Sequence, residues 1–242
     1  IASLLVEAIS NRNESVLLID TDTVKKDCIY YFNFNQISYY GVSKIRKDYD
    51  RNCKIDVCKN LIHVNKRILL ASDHRDLKYE MDSEFIKYLI DESQIHTVVI
   101  DISRYLSIEE QNKILSICNY KYLIVDQSVS TLNNMQSLLN LKKENLNVDL
   151  IVNKNTDVKG VSTKIIKNLL IENEKVLIHD IYRVREDYGK IIECQSKGET
   201  AYCKSQNLKE DIDCLVTMIL KEKTKTKVRF GDLIKNTFRI KE

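Results

Sequence analysis

Three acidic residues stand where short apolar runs end. Asp20 and Asp22 close Val16-Leu17-Leu18-Ile19-Asp20-Thr21-Asp22, and Asp101 closes His96-Thr97-Val98-Val99-Ile100-Asp101. In an open sheet covered by helices, ligands sit at the carboxyl ends of the strands. An aspartate at such an end can hold a magnesium ion through water, and the magnesium can bridge nucleotide phosphates. Any one of these acids alone reads more simply as an Asp in a solvent-facing turn. Their joint placement is what points to phosphate chemistry.

Other chemistries find less support. The seven cysteines (28, 53, 58, 118, 194, 203, 214) are odd in number and contain no C-x-x-C pair, which fits a reducing compartment better than a disulfide framework. Cys53 and Cys58 have no second ligand pair of zinc spacing after them. The four histidines, at 63, 74, 96 and 179, are dispersed, and no Ser or Cys sits in a nucleophile elbow. Arg183 and Arg185 are candidates for phosphate or partner contact, with solvated surface charge as the simpler reading.

The elements that must position the acids are legible as alternating patterns. Val16–Asp20, Arg67–Ala71, Thr97–Ile102, Tyr122–Asp126, Val148–Asn153 and Lys175–Ile178 are short, nearly continuous Val/Ile/Leu runs, as expected of parallel strands covered on both faces. Leu61–Val64 offers a further edge strand. Helical patterns fall at Ser83–Glu92, Ile108–Asn119, Thr131–Glu144, Val161–Asn173 and Leu208–Lys221, with an amphipathic helix from Ile1 to about Asn11. Ser107-Ile108-Glu109-Glu110 has the form of a capping box. This alternation predicts an α/β fold: a doubly wound, mostly parallel sheet with helices on both faces, in a single domain over 1–220. The stretch Val24–Asn60 is the least regular and carries Tyr30, Tyr31, Phe32, Phe34, Tyr39 and Tyr40, read as a satellite core under a functional loop or as an interface.

A chain of 242 residues is ample for a full core. Its net charge of +3 makes no global case for nucleic acid. No apolar run has the length of a membrane-spanning helix, and no signal-peptide pattern is read in these residues. The absence of proline and the five glycines read as coding bias. The tail, 221–242, differs: eight Lys or Arg stand against three acids. Phe230, Leu233, Ile234 and Phe238 share one helical face there, flanked by Lys235, Arg239 and Lys241, a pattern that can lie in a membrane interface, dock on the domain or bind a partner.

From Ile1 to about Leu220 the chain resembles the MinD/ParA family of P-loop ATPases, in particular its MinD-like and CpaE-like positioning branch. Ile1-Ala2-Ser3-Leu4-Leu5-Val6-Glu7-Ala8-Ile9 resembles the helix after the phosphate-binding loop. Val16 to Asp22 resembles the family's V-L-L-I-D-x-D strand, which implies Asp22 beside the γ-phosphate and attacking water as the catalytic residue, supported by Asp20. Val98-Val99-Ile100-Asp101 resembles the Walker B strand and implies the magnesium role for Asp101. Tyr122 to Ser128 resembles the strand leading to the dimer face. Leu150-Ile151-Val152-Asn153-Lys154 resembles the family's V-V-N-K segment and implies an adenine contact at Asn153 and Lys154. An amide both donates and accepts, which suits an adenine edge, and a turn residue is the equal alternative. Val176 to Gly189 falls where the family places its last strand and a base-flanking loop.

The chain also departs from the family. No G-K-G-G-x-G-K-[ST] is present; Gly41, Gly160, Gly189, Gly198 and Gly231 lie in no such pattern. Ile102-Ser103-Arg104 follows Asp101 where a small residue and proline are usual, and His179-Asp180 replaces a proline. In this fold the strand before the phosphate loop is interior, and each buried backbone group left unpaired costs ~1–3 kcal/mol. The expectation is therefore a strand and P-loop ahead of Ile1 in the natural protein.

The resemblance implies an ATP- and magnesium-dependent ATP hydrolase that forms a homodimer around nucleotide and positions a cellular machine for division, flagellum, pilus or secretion. It implies protein partners of that system, a cytoplasmic location, and peripheral contact with the inner face of the membrane through the tail. A non-catalytic interaction module of the same fold is the alternative. A DNA-partitioning factor is a third reading, which nucleic-acid contact through the tail serves less well than its apolar face serves a membrane.

Overall fold

The computed structural model describes residues 1–32, 41–73, 79–133, 146–156, 161–171, 176–197 and 199–220. In chain order the elements are α1 (Ala2–Ser10), β1 (Val16–Asp20), α2 (Asp27–Tyr31), α3 (Val42–Asp50), α4 (Val57–Asn60), β2 (Ile62–His63), β3 (Ile68–Ala71), α5 (Ser83–Ser93), β4 (Thr97–Asp101) and α6 (Ile108–Ile117). There follow β5 (Tyr122–Val125), β6 (Leu146–Asn155), α7 (Thr163–Ile171), β7 (Val176–Arg185), α8 (Tyr188–Lys197) and α9 (206–220).

The apolar runs pair as expected of parallel strands. β1 lies between β3 and β4, parallel to both, with Val16 beside Ile68 on one side and Thr97 on the other. β2 closes the edge as a short antiparallel strand on β3. β5, β6 and β7 form a second parallel ladder, and among the described residues the hydrogen bonding stops between β4 and β5.

Side-chain alternation sorts the two faces. Leu17, Ile19, Leu69 and Ala71 point into a cluster with Val42 and Ile45 of α3, Phe85 and Leu89 of α5 and Ile114 of α6. Val16, Leu18, Ile68 and Leu70 point the other way, to Leu4, Leu5 and Ala8 of α1 and to Leu208, Ile212 and Leu215 of α9. That second cluster also takes in Ile151 of β6 and Val184 of β7, so one helix layer covers both ladders. Helices thus lie on both faces of a mostly parallel sheet, the architecture expected from the sequence.

Several local expectations are corrected. Among the described residues, the irregular stretch after β1 holds three helices. Its α3 escapes pattern reading because only Val42, Ser43 and Ile45 of its nine residues are buried. Of its aromatics, Tyr31 and Phe32 pack edge to face at 6.1 Å against the core, as a satellite core does, while Tyr30 is exposed. Phe34, Tyr39 and Tyr40 lie outside the described residues. β7 continues past Ile178 to Arg185, so His179 and Asp180 are inside a strand rather than in a loop, and α8 was not anticipated. Arg185 is a surface charge, its side chain 42% exposed, but a paired one. Its guanidinium clasps Asp211 of α9 at 2.9 and 3.0 Å and reaches Glu210 and Asn207, tying β7 to α9. Ser107 does cap α6, accepting from the Glu110 N–H at 3.2 Å, but the Glu110 carboxylate turns away to accept from the Ser83 N–H at 2.9 Å. Most of the helix expected over Thr131–Glu144 and the whole tail, with Phe230, Leu233, Ile234 and Phe238, fall outside the described residues.

Glu7 of α1 is placed against Tyr31 and Thr200, and burial raises its carboxyl pKa to about 7, with the Thr200 hydrogen bond opposing. The folded protein therefore holds a proton there that the unfolded chain has lost, and stability falls as pH rises from 4.5 towards 7. Glu7→Gln should stabilise by about 1–2 kcal/mol at pH 8, discounted for partial exposure. It should change little at pH 4.5, as read by thermal melts at the two pH values.

Candidate functional site

Asp20 and Asp101 are register partners at the carboxyl ends of β1 and β4, so adjacent parallel strands deliver two carboxyls to one place. Asp20 is 1% exposed. Its Oδ1 accepts from the Asp22 N–H at 3.0 Å, and its Oδ2 accepts from the Cys28 N–H and the Ser72 hydroxyl, each at 3.4 Å. Burial raises its pKa to about 6; the two backbone donors pull it down, and the charges of Asp101 and Asp22 push it up.

Asp22 is half-buried, and its Oδ1 accepts from the N–H groups of Val24 at 3.0 Å and Lys25 at 2.8 Å, an Asx-type turn. The turn ends at Lys26, a buried residue at φ 51°, whose ammonium lies 4.8 Å from the Tyr79 ring centre. From there α2 begins and brings Cys28 beneath the acids. The Cys28 thiol donates to Asp101 Oδ2 at 3.7 Å. Burial, then the charges of Asp20 and Asp101, push that thiol well above its ordinary pKa, so it is a neutral donor and no nucleophile.

Thr21, between the two acids, faces β4. Its N–H and hydroxyl both donate to the Asp101 carbonyl, at 3.1 and 2.8 Å, and its hydroxyl accepts from the Ser103 N–H at 2.7 Å. The first turn of α1 reaches the same region, where Ser3 hydrogen-bonds the Cys28 thiol.

The result is a cleft of about 340 Å³ that Asp20, Asp22 and Asp101 all line, together with Cys28, Lys25 and Arg104. Among the described residues no three His, Cys, Asp or Glu side chains are close enough to hold a metal directly. Magnesium keeps several waters and is held through one or two carboxylates plus phosphate. A phosphate cradle of backbone N–H groups is not found at the described glycines. A Cβ on Gly41 would sit 2.5 Å from Asp73 Oδ1, so that close approach serves packing, and Gly189 has open space around it.

Asn153 and Lys154 do not line this cleft. They stand at the carboxyl end of β6, where the register with β7 shifts and Lys154 takes φ 53°. Beside them the loops after β5 and β6 are tied by Gln127, which accepts from the Thr156 N–H at 2.8 Å and donates to the Val161 carbonyl at 3.1 Å. Sequence reading missed Cys28 and Lys25 as parts of the cleft, and Thr21 as the tie between its two strand ends. The signal for Thr21 is its place inside the acidic pair; Cys28 has none, since only the left-handed turn at Lys26 brings it back.

No family model matches the chain, and no curated protein matches it in sequence. Solved structures do. A ParA family ATPase from Chlorobium tepidum superposes with a TM-score of 0.73 at 17% identity, covering 89% of this chain and 90% of that one. MinD of the Aquifex aeolicus MinC:MinD cell division complex gives 0.66 at 16%, covering 91% and 89%. The septum site-determining protein MinD of Pyrococcus horikoshii, complexed with Mg-ADP, gives 0.65 at 14%, covering 90% and 88%. The chain has the fold of the MinD and ParA ATPases.

Proposed function

We propose that this chain, with its MinD/ParA fold, is a nucleotide switch that binds and hydrolyses ATP with magnesium and positions or partitions a cellular component. The observation that carries the reading is the meeting of Asp20, Asp22 and Asp101 in one cleft at the ends of adjacent parallel strands. Bound magnesium neutralises and bridges phosphate oxygens. Asp101 is the exposed strand-end carboxylate suited to hold its waters, and Asp22 is the group we assign to orient the attacking water. Asp20, buried and bonded to the Asp22 N–H, holds the Asp22 turn in place. Asn153 and Lys154 are assigned to the adenine.

The Mg-ADP complex of the Pyrococcus horikoshii protein supports the cofactor, and the MinC:MinD complex of Aquifex aeolicus supports a protein partner; a homodimer formed on nucleotide completes the proposal. Among the described residues no helix is long and apolar enough to cross a membrane. Peripheral contact is assigned to the tail through Phe230, Leu233, Ile234 and Phe238.

The test is a titration of the full-length protein with ribose-labelled fluorescent ATP, with and without magnesium. Wild type should bind, and magnesium should tighten binding. Asp101→Asn should remove about tenfold of the magnesium-dependent gain and leave the magnesium-free affinity unchanged. Failure of wild type to bind in either condition overturns the proposal.

A further inference from the structure

The floor of the cleft is acidic and its rim is basic. Asp20, Asp22 and Asp101 line the interior, whereas Lys25 and Arg104 stand on the loops that follow β1 and β4. The two rim cations are presented differently. Lys25 is exposed, on a flexible stem. Arg104 is exposed too, but the backbone on both sides of it is fixed. Ser103 is buried, with its N–H donated to Thr21 Oγ1 at 2.7 Å, and its hydroxyl accepts from the Tyr105 N–H at 3.2 Å. Ser103 also accepts at its carbonyl from the Leu106 N–H at 3.4 Å.

The guanidinium itself is steered. One nitrogen donates to the Tyr105 hydroxyl at 2.9 Å, and the group lies 5.0 Å from that ring's centre. A guanidinium has five N–H donors, so this contact orients the fork without exhausting it. Arg104 and Asp22 line the same cleft. A planar fork on the rim of the cleft that also holds the carboxylate assigned to the attacking water is a donor set for the outermost phosphate rather than for a base or sugar.

We propose that Arg104 contacts the terminal phosphate of a nucleoside triphosphate in this cleft and sets its preference for triphosphate over diphosphate. The assignment rests on the reading of the cleft as a nucleotide site.

The experiment compares ribose-labelled fluorescent ATP and ADP, with magnesium, on full-length wild type, Arg104→Ala and Arg104→Lys. The alanine variant should bind ATP about tenfold more weakly and ADP within about twofold. The lysine variant should recover only part of the loss, since an ammonium restores charge without the fork. Because the side chain is exposed, all three should melt alike by circular dichroism. An alanine variant that binds both nucleotides as wild type does, or loses both equally, overturns the assignment and leaves the nucleotide reading standing. A wild type that binds neither nucleotide overturns both.

Discussion

Asp22→Asn should slow ATP turnover by about 100-fold while ATP affinity stays within about threefold. The substitution separates charge from structure. Oδ1 holds the turn by accepting from the Val24 and Lys25 N–H groups, and an asparagine carbonyl accepts from the same two donors. What the variant loses is the negative charge and proton-accepting capacity of the carboxylate. Asp22→Ala is the poorer probe, because it also frees the loop that carries Lys25 and leads into α2. Single-turnover hydrolysis beside equilibrium binding makes the distinction. A rate equal to wild type removes Asp22 from the chemistry, and a loss confined to affinity makes it a binding group.

The second large effect concerns stability. Asp20 carries a pKa of about 6 in the fold against an ordinary 3.8, chiefly through burial. Below pH 3.8 both states are protonated and the group is neutral to stability. Between 3.8 and 6 the folded state binds the extra proton, so stability falls as pH rises; above 6 the whole penalty is present, about 3 kcal/mol. Asp20→Asn removes the ionisation but gives up part of the acceptor set for the Asp22 and Cys28 N–H groups, about 1 kcal/mol. The net expectation is a gain of about 2 kcal/mol at pH 7.5, some 5 °C in melting temperature. At pH 4 the variant should be slightly less stable than wild type. Melts at both values check the sign as well as the size. A variant less stable at both would mean that the Asp20 carboxylate is held charged by its donors at no cost.

The two predictions concern neighbours in sequence whose environments the amino-acid order only half discloses. The strands β1, β3 and β4 are legible because each is a short unbroken apolar run, and such runs have few alternatives. The carboxyl-end placement of Asp20, Asp22 and Asp101 follows from those runs. What sequence order does not disclose is which acid is buried. Asp20 is closed in by Ser72 from β3's end and by Cys28 from α2, and both approaches depend on tertiary packing. Lys26, a residue with no preference for the left-handed region, makes the turn that returns Cys28 to the acids. Likewise α3, Val42-Ser43-Lys44-Ile45-Arg46-Lys47-Asp48-Tyr49-Asp50, is polar along most of its length and shows too narrow an apolar stripe to be read. β7 is underestimated because its later half alternates and is sealed by Arg185 on Asp211, a contact 26 residues distant.

Thr21 bears on how freely this sequence can drift. Its neighbours supply the acids, yet its own hydroxyl bridges the Asp101 carbonyl and the Ser103 amide, so the gap between β1's end and the β4 loop is measured by one oxygen atom. Valine has the shape but leaves the Ser103 donor unmet, alanine leaves a void as well, and asparagine is too long. Serine alone keeps the span. The middle letter of the acidic triplet is therefore under tighter constraint than its neutral character suggests, and a change to anything but serine must also rebuild the loop bearing Arg104.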